Sequence, residues 1–336
     1  MQRGRETEEL ERRRDREAPS KEAGQVQAGA ENCCCEWMEA EMRKVENRLF
    51  IGCLLLLLFL TVFLLLFVIY FIAREALPTF RELSLYSFLF GERWMPVDLG
   101  GEKAFGIFNF IAATAAVSFL ALIFAALLSI GAALCLSCFL GEELRGFLCS
   151  VIDILAGIPS VIYGFIGIEL VTPLFIRAGV HTGSCVLAAS LVLSVMLLPF
   201  MIASLSESFR KLKERYYPGA EAMGISLSYT VRSLILPQAA GSILIALILA
   251  LGRAMGETMA VMMLVGNANL FPRILGKAET IASLIALEMG SAEAGSTHYH
   301  ALFAAGFVLL LFLFLINFTI GLIRSRLPDI EEERYL

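Results

Sequence analysis

Charge is scarce in this sequence. Asp, Glu, Lys and Arg make up 18% of its 336 residues and 58% are hydrophobic, against about 25% and about 45–50% in an ordinary soluble domain, a balance that excludes a soluble enzyme. A basic field is also missing: the formal charge is -5 and the isoelectric point about 5.4, whereas nucleic acid demands a cationic face. No Gly-x-x-x-x-Gly-Lys-Ser/Thr stretch occurs, so the chain has no P-loop of its own and an ATP-driven motor would be a partner. The cysteines number eight but form no disulfide or metal pattern. Cys33, Cys34 and Cys35 are adjacent with no histidines around them, and the Cys135-x-x-Cys138 pair sits in an apolar helix with no thioredoxin-like context. His298 and His300 are two apart, a poor helical metal spacing, and read as exposed loop residues. No metal or cofactor is expected.

What the chain has instead is apolar length. Blocks of roughly 20 apolar residues cross a bilayer as helices, and six are visible: Leu49 to Ala73, Ile107 to Leu140, Phe147 to Ile176, Ser184 to Leu205, Gly241 to Val265 and Ala301 to Ile323. The expected fold is all-α, a polytopic membrane bundle of six transmembrane helices. Residues 1–47 are dense in Glu and Arg and read as a disordered charged tail. Residues 48–325 form the membrane domain, and 326–336 a second short tail. The first run is too long, and starts too far along the chain, for a signal peptide. Basic residues precede the first span (Arg43, Lys44, Arg48) and follow the fourth (Arg210, Lys211, Lys213, Arg215) and the sixth (Arg324, Arg326); this places both termini in the cytoplasm.

Several spans carry interruptions. The second is too long for one straight crossing, so one end must tilt, kink or emerge. The third contains Gly157, Pro159, Gly164, Gly167 and Pro173, and the fourth Pro199; such residues persist where neighbours re-satisfy the freed backbone. Tyr163 and Ser160 flank one break, either lining a route or satisfying a freed carbonyl. Asp153 is expected near the inner start of the third span, capping a helix N-terminus, with a role in transport as the alternative.

Two constellations carry chemistry. In the segment 206–237, Gly224 stands thirteen residues before Pro237, in Ala-Glu-Ala-Met-Gly-Ile-Ser and Ile-Leu-Pro contexts. This suggests a helix, a glycine-permitted turn and a second amphipathic stretch; a plain solvated connection is the alternative. In the fifth span, Arg253 and Glu257 are four residues apart in Leu-Gly-Arg-Ala-Met-Gly-Glu-Thr, on one face of a continuous helix. Charges at that depth neutralise each other or face a water-filled route, and Thr258 is a candidate lining hydroxyl.

The glycine-to-Leu-Pro spacing resembles the cytoplasmic coupling loop of ABC importer permeases. Where the family usually has Glu-Ala-Ala this chain has Pro218-Gly219-Ala220, with only Ala220 matching and Glu221 as a possible substitute. Gly252-Arg-Ala-Met-Gly-Glu-Thr-Met-Ala-Val261 and Gly266-Asn267 closely resemble the fifth helix of the phosphate-specific ABC importer permeases, and Ala156-Gly-Ile-Pro-Ser-Val-Ile-Tyr-Gly164 their third. Glu279-Thr280 through Gly295, then His298, with Trp94-x-Pro96, look like the C-type subunit rather than its A-type sister. The resemblance covers about Leu49 to Ile323; Glu169 departs from it, at what reads as the outer end of a span. It implies a permease subunit of the bacterial cytoplasmic (inner) membrane, not itself an enzyme, forming half of a path for inorganic phosphate. Implied partners are an A-type permease subunit, an ATP-binding subunit dimer and an extracytoplasmic phosphate-binding protein. It also implies that Arg253, Glu257 and Thr258 belong to the substrate pathway and Ala220, Glu221, Gly224 and Pro237 to ATPase coupling. A permease for another oxyanion, such as molybdate or phosphonate, is the alternative, followed by a secondary transporter that works without an ATPase.

Overall fold

The computed structural model describes residues 50–96 and 103–324. The two tails, with Cys33, Cys34 and Cys35, lie outside the described residues. The chain divides after Tyr70 into two units. Residues 50–70 of the first belong to helix α1, Phe50–Glu82. Over residues 50–70 its leucines and phenylalanines stand exposed, and Thr61 hides its hydroxyl on the Leu57 carbonyl at 2.8 Å, as a helix that is apolar all round does when it crosses lipid.

In the second unit, the short helix α2, Leu85–Phe90, leads to a hairpin of β1, Trp94–Met95, and β2, Ala104–Phe105, paired antiparallel with Trp94 opposite Phe105. Helix α3, Phe108–Leu134, ends in a π-helical turn, Cys135–Phe139. The over-long second run departs from regular geometry there. The third predicted span is two helices. Helix α4, Glu142–Ala156, stops at Gly157, and Pro159, which has no N–H to donate and restricts the residue before it, precedes α5, Ser160–Ile166. Helix α5 continues through a π turn, Gly167–Val171, into α6, Thr172–Arg177.

Helix α7, Val186–Ala222, is longer than the predicted fourth span. At ~1.5 Å per residue it reaches ~55 Å, well past a hydrocarbon core of ~30 Å. Three short pieces follow: α8, Leu227–Thr230, a π turn, Val231–Ile235, and α9, Leu236–Gln238. The predicted fifth span is likewise divided, into α10, Ala240–Met255, and α11, Met259–Val265. The chain ends in α12, Ile281–Glu288, and α13, Thr297–Arg324. Among the described residues five helices are long and apolar enough to cross a membrane, or six if the pair Leu227–Gln238 and Ala240–Met255, bent by 60°, is one broken span.

Small residues bring the helices together. Ala113, Val117, Ala121 and Ala125 recur every fourth position of α3 and are buried against Ala189, Leu193 and Leu197 of α7. The Ser190 hydroxyl of α7 donates to the Val117 carbonyl at 3.2 Å, the cross-helix bonding that close approach permits. Gly164 and Gly167 set α5 on its neighbours: a Cβ at Gly164 would lie 3.0 Å from the Ala260 Cα, and one at Gly167 2.8 Å from the Val192 side chain. A second cluster, around Phe88, Trp94, Phe110, Leu284 and Leu302, closes the hairpin end. A third, around Phe209, Leu212 and Ile235, lies toward the far end of α7.

Candidate functional site

Arg253 and Glu257 are not on one helical face. Helix α10 ends at Met255 and α11 starts at Met259, so a break at Gly256, Glu257 and Thr258 separates them. Among the described residues the two make no ion pair. Each occupies the helix end whose dipole favours its charge. Arg253 is in the last turn of α10, and the Glu257 carboxylate accepts the Ala260 N–H at 3.4 Å in the first turn of α11. The order Arg then Glu, unfavourable within one helix, is the favourable one across this break. Thr258 is the N-cap residue of α11, its carbonyl accepting the Met262 N–H at 2.8 Å.

Arg253 opens on a cavity of about 370 Å³ between α4, α5, α7 and α10, whose wall includes Asp153, Ser160, Tyr163, Phe200 and Ser204. Its guanidinium carbon stands 5.9 Å from the centre of the Phe200 ring, within cation–π range. Of the three predicted pathway residues, Arg253 alone lines this cavity. The Tyr163 hydroxyl donates to the Leu155 carbonyl at 2.8 Å, beside the Ile158 N–H at 3.3 Å, at the Gly157–Pro159 break, and Tyr163 lines the cavity. Of the two roles considered for Tyr163, the hydrogen bond is the one the geometry shows. Asp153 is not at a helix N-terminus: it lies in the last turn of α4, and its carbonyl accepts the Gly157 N–H at 3.2 Å. The predicted span placed it near a start because α4 was read as the head of one long helix.

The segment 206–237 begins inside α7, where Leu205, Phe209 and Leu212 continue the buried stripe. Helix α7 closes at Gly224, φ +73°, with the Ile225 N–H on the Ala220 carbonyl at 2.9 Å and the Gly224 N–H on the Glu221 carbonyl at 2.9 Å, the paired bonds of a Schellman turn. Glu221, Gly224 and Pro237 are exposed. Ala220 is buried, at 2%, so it packs the turn from within. Met223, 72% exposed, and Tyr229, 62% exposed, present the large apolar surface here; their composition carried no signal, and only the turn turns them outward.

At the hairpin end the last loop folds on itself. Thr280 caps α12 by accepting the Ser283 N–H at 3.2 Å, and Asn109 donates to Asn269 at 2.9 Å. The Glu288 carboxylate accepts from the Trp94 indole at 2.8 Å and bonds His298 Nε2 at 2.8 Å. His300 Nδ1 lies 2.9 Å from the Glu75 carbonyl. The two histidines are thus partly buried staples in the first turn of α13, not exposed loop residues, since α13 starts earlier than the apolar run. Glu279 is buried, at 8%, and burial first, then the Glu288 charge, pushes its carboxyl up to about 7. Glu169 lies in the π turn of the span Ser160–Arg177, exposed. No group of three metal-ligating side chains occurs among the described residues.

Residues 125–328 match the family model described as "Binding-protein-dependent transport system inner membrane component". The chain is 33% identical over 246 residues to the probable ABC transporter permease protein YqgH of Bacillus subtilis, covering 73% of this chain and 79% of that one. It is 32% identical over 262 residues to the phosphate transport system permease protein PstC of Xylella fastidiosa (72% and 78%). It is 33% identical over 247 residues to that of Pasteurella multocida (67% and 75%). An inward-facing structure of the MetNI methionine ABC transporter superposes with a TM-score of 0.52 over 65% of this chain and 94% of that one, at 17% identity, a likeness of fold.

Proposed function

We propose that this chain, which belongs to the family of binding-protein-dependent transport system inner membrane components, is the permease subunit of an ATP-driven importer of inorganic phosphate. The observation that carries the reading is Arg253, exposed on the wall of the open cavity between α4, α5, α7 and α10 and free of any carboxylate partner among the described residues. A permanently charged planar fork matches phosphate oxygens, and a helix interrupted beside it is the backbone pattern of transporter sites near the bilayer midplane. The relatives named for phosphate transport supply the substrate class.

In this reading Glu257 and Thr258 stand next along the route from Arg253. The Glu257 carboxylate accepts the proton of hydrogen phosphate and repels fully ionised sulfate. The Gly224 turn, with Met223 and Tyr229 facing out, docks on a separate ATP-hydrolysing subunit, because the chain has no P-loop. The other half of the path is a sister permease, and a binding protein delivers the anion at the hairpin end, which faces away from the cytoplasm as the basic residues around the spans require.

The test is radiolabelled phosphate uptake, with sulfate and molybdate as competitors, in cells carrying the full set of partners. Arg253→Ala is expected to abolish uptake while membrane abundance and assembly persist. Unchanged uptake in the variant would reduce Arg253 to a helix-end charge. Uptake of another oxyanion in its place would overturn the substrate.

A further inference from the structure

Asp153 is in an electrostatically poor place. It occupies the last turn of α4, where unpaired backbone carbonyls concentrate negative partial charge and a carboxylate is disfavoured. Among the described residues its side chain has no ion pair and no hydrogen bond. Yet it lines the same cavity as Arg253, which also has no carboxylate within 4.0 Å among those residues. Two opposite charges thus share one space without pairing. An anion entering it meets attraction from one wall and repulsion from another.

The two walls are held differently. Arg253 rides on α10, whose Ala246, Ala250 and Ala254 are buried in the core. Helix α4 buries none of its residues and is followed by the Gly157–Pro159 break, where Pro159 interrupts the helical hydrogen bonding. The segment bearing Asp153 is the one with few apolar contacts to resist displacement. A guanidinium that held its anion firmly would stall a transport cycle, since conduction needs binding weak enough to leave.

We propose that Asp153 is the release residue: its carboxylate competes with the bound anion for Arg253 and so drives the anion out of the cavity. The proposal rests on Arg253 being the anion's contact. Asp153 is a positioning charge that need not touch the anion. Its removal leaves the attraction and deletes the competitor, so the anion stays longer.

The experiment uses the complex assembled with its partner subunits in lipid nanodiscs without ATP. Retention of radiolabelled phosphate is measured by equilibrium dialysis, and maximal uptake is measured in proteoliposomes with saturating binding protein. Asp153→Asn is expected to hold phosphate about tenfold more tightly, the effect of roughly one unit of log affinity, with a lower maximal rate and no rise in KM. Asp153→Glu restores both values, which a merely structural side chain would not predict. Asp153→Asn with wild-type retention overturns the proposal, as does lost uptake or failed assembly without tighter retention. In the double variant Asp153→Asn, Arg253→Ala, tight retention should disappear. If it persists, Asp153 acts on another cation and the proposal fails, whereas the role of Arg253 in transport is decided by Arg253→Ala alone.

Discussion

At the scale of single residues, Arg253 and Glu257 are each stabilised by the end of a different helix, and this separates their structural from their chemical roles. The Glu257 carboxylate accepts the Ala260 N–H, so Glu257→Ala removes an N-terminal acceptor and is expected to destabilise the assembled protein by about 1 kcal/mol. Glu257→Gln retains a side-chain oxygen for that bond. It is therefore expected to assemble normally and to let sulfate compete with phosphate more effectively, because the fixed negative charge is gone. Thermal unfolding of the purified complex and competition uptake measure the two effects separately. A Gln variant with unaltered sulfate competition would confine Glu257 to capping.

At the scale of elements, two turns set what each end of the bundle does. Gly224 needs its positive φ for the Schellman turn, and no neighbouring atom lies within 4 Å of a Cβ placed there. The strain of Gly224→Val is therefore in the backbone alone, about 1–2 kcal/mol. The expected result is a normally abundant protein with reduced phosphate uptake and reduced coupling of ATP hydrolysis to it. At the other end, the Glu279 carboxyl lies above its ordinary 4.5, at about 7, so the folded state holds this proton more tightly than the unfolded chain. Below about pH 4.5 both states are protonated and the difference vanishes. As pH rises toward 7 the folded state carries the growing cost of a buried charge, so this group's contribution to stability falls across that window and stays low above it. Glu279→Gln is expected to flatten that part of the profile and raise the unfolding temperature at pH 8, as read by thermal denaturation in detergent across pH 4.5 to 8.

At the scale of the whole molecule, the cavity has a predicted side. Ser204 lies on its wall along α7, toward the end that carries Gly224. With all eight native cysteines replaced, Ser204→Cys is expected to react with a membrane-impermeant thiol reagent added from the cytoplasmic side of inverted vesicles. It should be protected in intact cells. Labelling from the outside only would reverse the orientation drawn from the basic residues around the spans.

The sequence alone determined the all-helical membrane class, because apolar length and the scarcity of charge are local quantities. It also located the charged pair, the breakers around Pro159 and the Gly224 turn, since proline and glycine limit the backbone wherever they stand. It overstated helix continuity: the hydropathy that defines a span does not register a break of three residues, so 147–176 and 241–265 read as single helices, and α7 read as too short because its buried stripe continues under a charged surface. Only the tertiary structure decided that Arg253 and Glu257 belong to different helices and that Glu288, His298 and Trp94 form one cluster. Only there does Asp153, a hundred positions earlier in the chain, face the same cavity as Arg253. Those relations depend on how α4, α5, α7 and α10 pack, and packing is set by contacts between residues far apart in the chain, which periodicity within a single segment does not encode.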